Sequence, residues 1–110
     1  MSQVNLPPVD EEWFSGDDKD IAYTINGIAD LTGYDIIWRL FNGLSTVFSK
    51  TTGAGEIVIT TNLVTVTVNA ADTDGLEGNY TYECEGTSPG GKVVTLAWGS
   101  VKLKHDKIIV

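Results

Sequence analysis

Cysteine is nearly absent from this sequence, with a single residue, Cys84, among 110. One cysteine cannot form a disulfide within the chain, which excludes the class of small secreted domains that disulfides hold together. We therefore expect folding in a reducing cytoplasm. A reactive thiol needs basic neighbours that lower its pKa, whereas Cys84 lies between Glu83 and Glu85. We predict that Cys84 is a small buried apolar residue.

Basic residues and histidine are also scarce. Seven lysines and arginines stand against fifteen acidic residues, which gives a net charge of −8. A surface this acidic repels nucleic acid and anionic lipid, so we expect neither as a partner. The only histidine, His105, lies near the C-terminus without a recognisable nucleophile motif. Because phosphate-binding glycine loops are absent too, we expect no catalysis and no cofactor.

Long apolar runs are missing as well. No stretch approaches the roughly 18 residues of a membrane span. The N-terminus, MSQVNLPP, lacks the basic region and the apolar core of a signal peptide. A chain of 110 residues suffices for one modest domain. Twelve glycines, only three prolines and plentiful β-branched residues are typical of a β-protein with many turns.

The segment from Asp72 to Cys84 carries the most informative pattern that is present. After a polar turn, Tyr80, Tyr82 and Cys84 alternate with polar residues, as in a half-buried strand. A tyrosine two residues before a cysteine is the tyrosine corner of strand F in immunoglobulin-like sandwiches. Trp38, on an earlier strand, is placed to complete the core. We predict an all-β, immunoglobulin-like β-sandwich of about seven to eight antiparallel strands, with an extended N-terminal arm.

Alternating apolar residues predict the faces of the other strands. The predicted inward-facing residues are Ile21, Tyr23 and Ile25 on strand B, Ile36, Trp38 and Leu40 on strand C, and Val64, Val66 and Val68 on a later strand. The other face of strand C carries Ile37 and Phe41, which indicates a central strand or a face covered by a neighbour. In the last strand the apolar phase slips at Gly99–Ser100. This slip predicts a β-bulge that keeps Trp98 facing inward.

Residues 1–15 are predicted as an extended arm and residues 16–110 as the sandwich domain. Pro7–Pro8 favours an extended chain, and the aromatic pair Trp13–Phe14 follows three acidic residues. Two interpretations stay open: a first strand packed on its own sandwich, or an arm docked on another subunit. The candidate assembly contacts are Asp10, Glu11, Glu12, Trp13 and Phe14, with Lys102, Lys104 and Lys107 at the basic C-terminal end. The oppositely charged ends would pair within one subunit or between subunits.

Two further patterns have both a functional and a structural interpretation. The run from Asp72 to Gly75 resembles the start of a calcium loop, but the residues after the glycine lack the required spacing. A corner turn is therefore favoured, and we predict no metal site. Trp98 and Tyr34 are typical either of a sugar-stacking platform or of one core tryptophan and one loop tyrosine. The second interpretation is favoured.

The order of several short motifs resembles a group of small tailed-phage virion proteins. The motifs are Gly16-Asp17-Asp18 before strand B, Asp30-Leu31-Thr32-Gly33 before an apolar strand, the loop at 50–55, Ala71-Asp72-Thr73 before Gly78-Asn79-Tyr80-Thr81-Tyr82, and a final strand with Gly99. Over about residues 16–104 the chain is similar to the immunoglobulin-like N-terminal domain of phage baseplate upper proteins and to related single-domain structural proteins.

This resemblance implies a non-enzymatic virion structural protein. Because the receptor-binding remainder of the baseplate proteins is not in this sequence, a capsid decoration (cement) subunit is the first interpretation. A neck, tail or baseplate component is the alternative, and a particle-displayed module that binds a host glycan or protein is a second class. The implied partners are major capsid or tail proteins and further copies of itself. The implied location is the virion, assembled in the host cytoplasm.

Overall fold

The fold consists of two β-sheets packed face to face. The computed structural model describes residues 8–105, and within them it has eight strands and one short helix, α1 (Ala70–Thr73), between β6 and β7. The strands are β1 (Glu11–Phe14), β2 (Lys19–Thr24), β3 (Asp35–Asn42), β4 (Ser45–Thr51), β5 (Ile57–Thr60), β6 (Leu63–Val68), β7 (Gly78–Thr87) and β8 (Val93–Lys104). One sheet has the order β1-β8-β7-β3-β4 and the other β2-β6-β5.

The strand order is that of an immunoglobulin-like sandwich. In that fold β8, β7 and β3 take the places of strands G, F and C, and β2, β6 and β5 those of B, E and D. β4 extends the first sheet as strand C′ does in variable-type domains. The predicted all-β, immunoglobulin-like fold without a disulfide is confirmed. One detail differs, because β1 runs parallel to β8 instead of antiparallel.

The core is centred on Trp38, whose side chain is fully buried. Its ring stacks on Tyr82 with 5.5 Å between centroids, and Phe48 packs against it at 5.7 Å. The indole Nε1 donates a hydrogen bond of 3.1 Å to the hydroxyl of Tyr23. All the residues predicted to face inward on β2, β3 and β6 are buried. The predicted faces of these strands are therefore confirmed.

Cys84 is fully buried on β7, as predicted. Burial raises the pKa of its thiol to about 12, because the apolar surroundings disfavour the charged thiolate. The thiol is therefore protonated at neutral pH, and it packs as an apolar side chain.

Tyr82 does not form the predicted tyrosine corner. Its hydroxyl donates to the carbonyl of Val9 at 2.5 Å, 73 residues earlier in the chain. Tyr80 makes the local bond of a corner instead, donating to the carbonyl of Glu77 at 3.2 Å. Burial raises the pKa of Tyr82 to about 12, so its hydroxyl stays a donor at neutral pH. Tyr82 thus ties the N-terminal segment to the sheet.

The bulge in β8 lies earlier along the strand than predicted. Pairing with β7 shifts between Cys84 and Glu85, which leaves Leu96 as the extra residue. Leu96 and Ala97 are both buried, and the phase that follows places Trp98 on the outside, 42% exposed. The prediction that Trp98 faces inward is therefore wrong. The small side chain of Ala97 gave no signal that it, rather than Trp98, is the inward residue.

Residues 11–14 form a strand of the sandwich and not a detached arm. β1 pairs with β8, and Trp13 lies opposite Leu103. Trp13 is only 7% exposed and belongs to the core. Of the two interpretations left open, the structure has the strand packed on its own sandwich. Residues 11–14, predicted as part of the arm, therefore belong to the sandwich.

A buried lysine connects β4 to the corner before β7. The side chain of Lys50 is 4% exposed, and its Nζ lies 2.6 Å from Asp72 and 3.1 Å from Glu56. Burial alone would lower the pKa of Lys50, but the two carboxylates outweigh it and raise that pKa above its usual value. Asp72 also accepts a 2.7 Å hydrogen bond from the amide of Asn69, which starts α1. The predicted corner turn is thus fixed by an ion-pair cluster.

Candidate binding face

The residues predicted as assembly contacts do not form one site. Trp13 lies in the core, whereas Phe14 points outward and is 45% exposed. The ammonium of Lys104 lies 5.2 Å from the centre of the Phe14 ring and 3.0 Å from the carboxylate of Glu12. The hydrogen bond from Lys104 lowers the pKa of Glu12. These oppositely charged ends therefore pair within the chain.

The remaining candidates have separate surroundings. The carboxylate of Asp10 accepts a 3.1 Å hydrogen bond from the amide of Ser100. Glu11 is half-buried, and burial is the main reason that its pKa is raised. Lys102 is exposed on β8, and Lys107 lies outside the described residues. Among the described members of this group, only Asp10 also borders the groove described next.

The outer face of the five-stranded sheet, meaning the side turned away from β2, β6 and β5, carries the second apolar side of β3 that the sequence indicated. Two cross-strand rows run over β3, β7 and β8: Arg39–Glu83–Trp98 and Phe41–Thr81–Ser100. A shallow groove of about 600 Å³ lies over these rows, and its walls include Pro8, Asp10, Leu44, Phe41, Glu83 and Trp98. We call it the Trp98 groove.

Apolar side chains dominate the Trp98 groove. Trp98 is 42% exposed, and Leu44, at the tip of the β3–β4 turn, is fully exposed. Phe41 is half-buried and lines the same groove. Contiguous exposed apolar surface on a small domain marks an interaction site more often than scattered single residues do. The face that carries this groove is therefore the candidate binding face.

Two carboxylates lie on either side of β8, Glu83 next to Trp98 and Asp10 next to Ser100. Glu83 is the cross-strand partner of Trp98 on β7, and Asp10 belongs to the N-terminal segment on the other side of β8. Within residues 8–105 neither carboxylate forms an ion pair, although Arg39 is the register partner of Glu83 on β3. The groove is thus an aromatic surface bordered by two carboxylates.

Gly99 positions the wall of the groove that carries Asp10. The amide of Val9 donates to the carbonyl of Trp98 at 2.9 Å, and Tyr82 donates to the carbonyl of Val9. A Cβ on residue 99 would lie only 2.2 Å from that carbonyl oxygen. A glycine is therefore required for the N-terminal segment to approach β8 and to place Asp10 beside Ser100 at the edge of the groove.

Trp98 and Tyr34 do not come together as a sugar-stacking platform. Tyr34 is half-buried and packs against the core, and its ring lies 3.2 Å from where a Cβ on the buried Gly86 would be. Trp98 points to the opposite, outer face of the same sheet. Its aromatic neighbour in the groove is Phe41, across β7. The sequence signal that could have indicated this face was the second apolar side of β3, with Ile37 and Phe41.

The described part of the chain was also compared with the requirements of metal sites and membrane-spanning helices. Among residues 8–105 no group of three or more histidine, cysteine, aspartate or glutamate side chains could hold a metal ion. His105, the one histidine, is exposed at the end of β8. No helix within the same residues has the length and apolarity needed to cross a membrane.

Comparison with known proteins identifies no family. No protein-family model matches the chain, and no curated protein matches it either. Among solved structures, one of murine CRIg is similar, with 20% sequence identity, a TM-score of 0.43, and coverage of 91% of this chain and 92% of that chain. The strand order and pairing described above remain what identifies the sandwich as immunoglobulin-like.

Proposed function

We propose that this chain is a non-enzymatic structural subunit of a tailed-phage particle, a capsid decoration subunit, that attaches through the outer face of its five-stranded sheet. The observation that carries this proposal is the Trp98 groove, with its exposed Trp98 and Leu44. The order of the sequence motifs supplies the phage context. Attachment through Trp13 is not part of the proposal, because that side chain is in the core.

The partner surface that fits this face is apolar at its centre and basic around it. The chain carries a net charge of −8, and Asp10 and Glu83 border the groove without ion pairs in the described residues. Electrostatic complementarity directs association, while burial of the aromatic and aliphatic side chains supplies most of the affinity. A neck, tail or baseplate protein with such a surface would satisfy the same requirements.

Binding to particles that lack this chain tests the proposal. We expect Phe41→Asp to abolish co-sedimentation of the purified chain with such particles, because a charge would be buried at the contact. Val58→Asp is the matched control: Val58 is 57% exposed on β5, in the other sheet, so this variant should bind normally. Thermal unfolding of both variants checks that they fold.

Two results would reject the proposal. One is that Phe41→Asp remains folded and still decorates particles at full occupancy. The other is that the wild-type chain binds no particle protein at all. Locating the chain on a purified particle by cryo-electron microscopy would then distinguish the capsid from the neck, tail or baseplate.

A glycan-binding module is the second candidate function, and Trp98 is the observation that favours it. An exposed indole beside the hydroxyls of Thr81 and Ser100 is a surface on which a sugar ring can stack. A glycan array separates the two candidates, because the structural-subunit proposal expects no specific hit. A specific hit that Trp98→Ala removes would favour the module.

A further inference from the structure

We infer that the Trp98 groove receives an arginine side chain of the partner protein, stacked on Trp98 and held by Asp10 and Glu83. This inference rests on the proposed function only in taking the occupant to be part of a protein. The chemistry of the groove does not depend on which particle protein supplies the arginine.

Trp98 provides the stacking surface. Its indole is 42% exposed on β8. Glu83 lies opposite it on β7, and Asp10 of the N-terminal segment lies beside Ser100, two residues further along β8. A guanidinium is planar, stacks on aromatic rings, and is attracted by their negative faces. A cation over Trp98 would lie between the carboxylates of Glu83 and Asp10, and both negative charges would attract it.

The two carboxylates of the groove favour a ligand whose polar groups are all hydrogen-bond donors. The charged side chains of the groove are the carboxylates of Asp10 and Glu83, which only accept. The hydroxyls of Thr81 and Ser100 donate and accept, the Trp98 indole has one N–H donor, and no lysine, arginine, asparagine or glutamine of the described chain lines the groove. Guanidinium has five N–H donors and no acceptor. The hydroxyls of a sugar also donate to carboxylates, but they carry no positive charge, so the guanidinium gains the stronger, charge-assisted hydrogen bonds.

The apolar walls suit the rest of an arginine side chain. Phe41 and Leu44 lie on the β3–β4 side of the groove, and Leu44 is fully exposed there. Arginine buries its three methylene groups along apolar surface while its charged end stays near polar partners. The volume of about 600 Å³ leaves room for adjacent backbone of the partner as well.

The surrounding charge favours a cation over any other occupant. Two basic residues lie on the same outer face, Arg39 as the register partner of Glu83 and Lys102 two residues after Ser100. Neither lines the groove, whose charged side chains are both acidic. The net charge of −8 adds a long-range attraction for basic partners. An anionic or neutral side chain would gain neither interaction.

Titration of the full chain with capped tripeptides tests this inference by NMR. The probe is Ac-Gly-Arg-Gly-NH₂, the neutral control is Ac-Gly-Gln-Gly-NH₂, and methyl β-glucoside represents a sugar. We expect the arginine peptide at millimolar concentration to shift the Trp98 indole signal and the amides of Thr81 and Ser100. The glutamine peptide and the glucoside should leave them in place. Equal shifts with either control, or none with arginine, would overturn the inference.

Paired charge variants show whether the two carboxylates are responsible. Asp10→Asn with Glu83→Gln should weaken arginine-peptide binding at least tenfold, which corresponds to about 1.4 kcal/mol. Asp17→Asn with Glu77→Gln changes the net charge equally at two exposed positions outside the groove, and should bind as the wild type does. Equal weakening by both pairs would mean that only overall charge matters and would overturn the inference.

The outcomes separate this inference from the proposed function. If the arginine peptide binds as described but no particle protein does, the function fails and the groove assignment stands. If particles bind through Phe41 but Asp10→Asn with Glu83→Gln binds them normally, the function stands and the arginine assignment fails.

Discussion

Two buried tryptophans differ in whether the indole N–H has a hydrogen-bond partner. The Nε1 of Trp38 donates to Tyr23, whereas the Nε1 of Trp13 has no partner within the described chain. An unpaired buried donor costs about 1–3 kcal/mol. We therefore expect Trp13→Phe to change the free energy of unfolding little, because the lost packing is offset by removal of that donor. Trp38→Phe, the same chemical change, should cost about 1–2 kcal/mol more.

Urea unfolding of both variants, followed by circular dichroism, measures this difference. Trp38→Ala provides the upper bound, with an expected loss of about 3–5 kcal/mol. Equal losses for the two phenylalanine variants would show that the hydrogen bond to Tyr23 contributes nothing.

Lys50 provides a second residue-scale prediction, because its ion pairs are unequally buried. The lysine side chain is 4% exposed, but Glu56 is 32% and Asp72 23% exposed. Lys50→Met removes the buried charge, and the two carboxylates can hydrate, so we expect a loss of about 1–2 kcal/mol. Glu56→Gln with Asp72→Asn leaves a buried ammonium without a counter-charge and should cost about 3–5 kcal/mol. The reverse order of unfolding free energies would contradict this account.

At the scale of the elements, the N-terminal segment depends on one glycine. A Cβ at position 99 would meet the carbonyl of Val9 at 2.2 Å, so Gly99→Ala must displace residues 8–10 from β8. We expect faster hydrogen exchange at the Val9 amide and loss of the groove wall that carries Asp10. The control is Gly53→Ala, since nothing lies within 4 Å of a Cβ there. Unchanged protection of Val9 in Gly99→Ala would refute this role.

The element patterns also show what a sequence can predict and what it cannot. Apolar alternation predicted the inward faces of β2 and β6, because a one-residue slip would move every apolar side chain to solvent. On β3 both faces are apolar, and the place of Trp38 in an immunoglobulin-like core indicated which face is inward. β8 was predicted less well. Its bulge lies at Leu96, and the inward residue that follows, Ala97, is too small to stand out in the apolar pattern. The parallel pairing of β1 with β8 is a long-range contact that four residues cannot specify alone.

At the scale of the whole molecule, the candidate site was the least predictable part. Trp98 and Phe41 are far apart in the sequence and come together only because β7 lies between β3 and β8. Asp10 joins them through contacts of Val9 with β8 and Tyr82. The acidic and basic ends were evident from the sequence, but Glu12 and Lys104 pair within the chain. Composition therefore indicates the overall charge of the chain but not the place where a partner would bind.

The net charge of −8 leads to a prediction about the kinetics of attachment. Long-range attraction to a basic surface acts on the association rate and is screened by salt, since the Debye length falls from about 10 Å at 0.1 M to about 3 Å at 1 M. We expect added NaCl to slow association of the chain with particles and to leave dissociation nearly unchanged. Trp98→Ala should do the opposite, because lost burial shortens the lifetime of the complex. Surface plasmon resonance on immobilised particles measures both rates, and a salt effect confined to dissociation would contradict electrostatic steering.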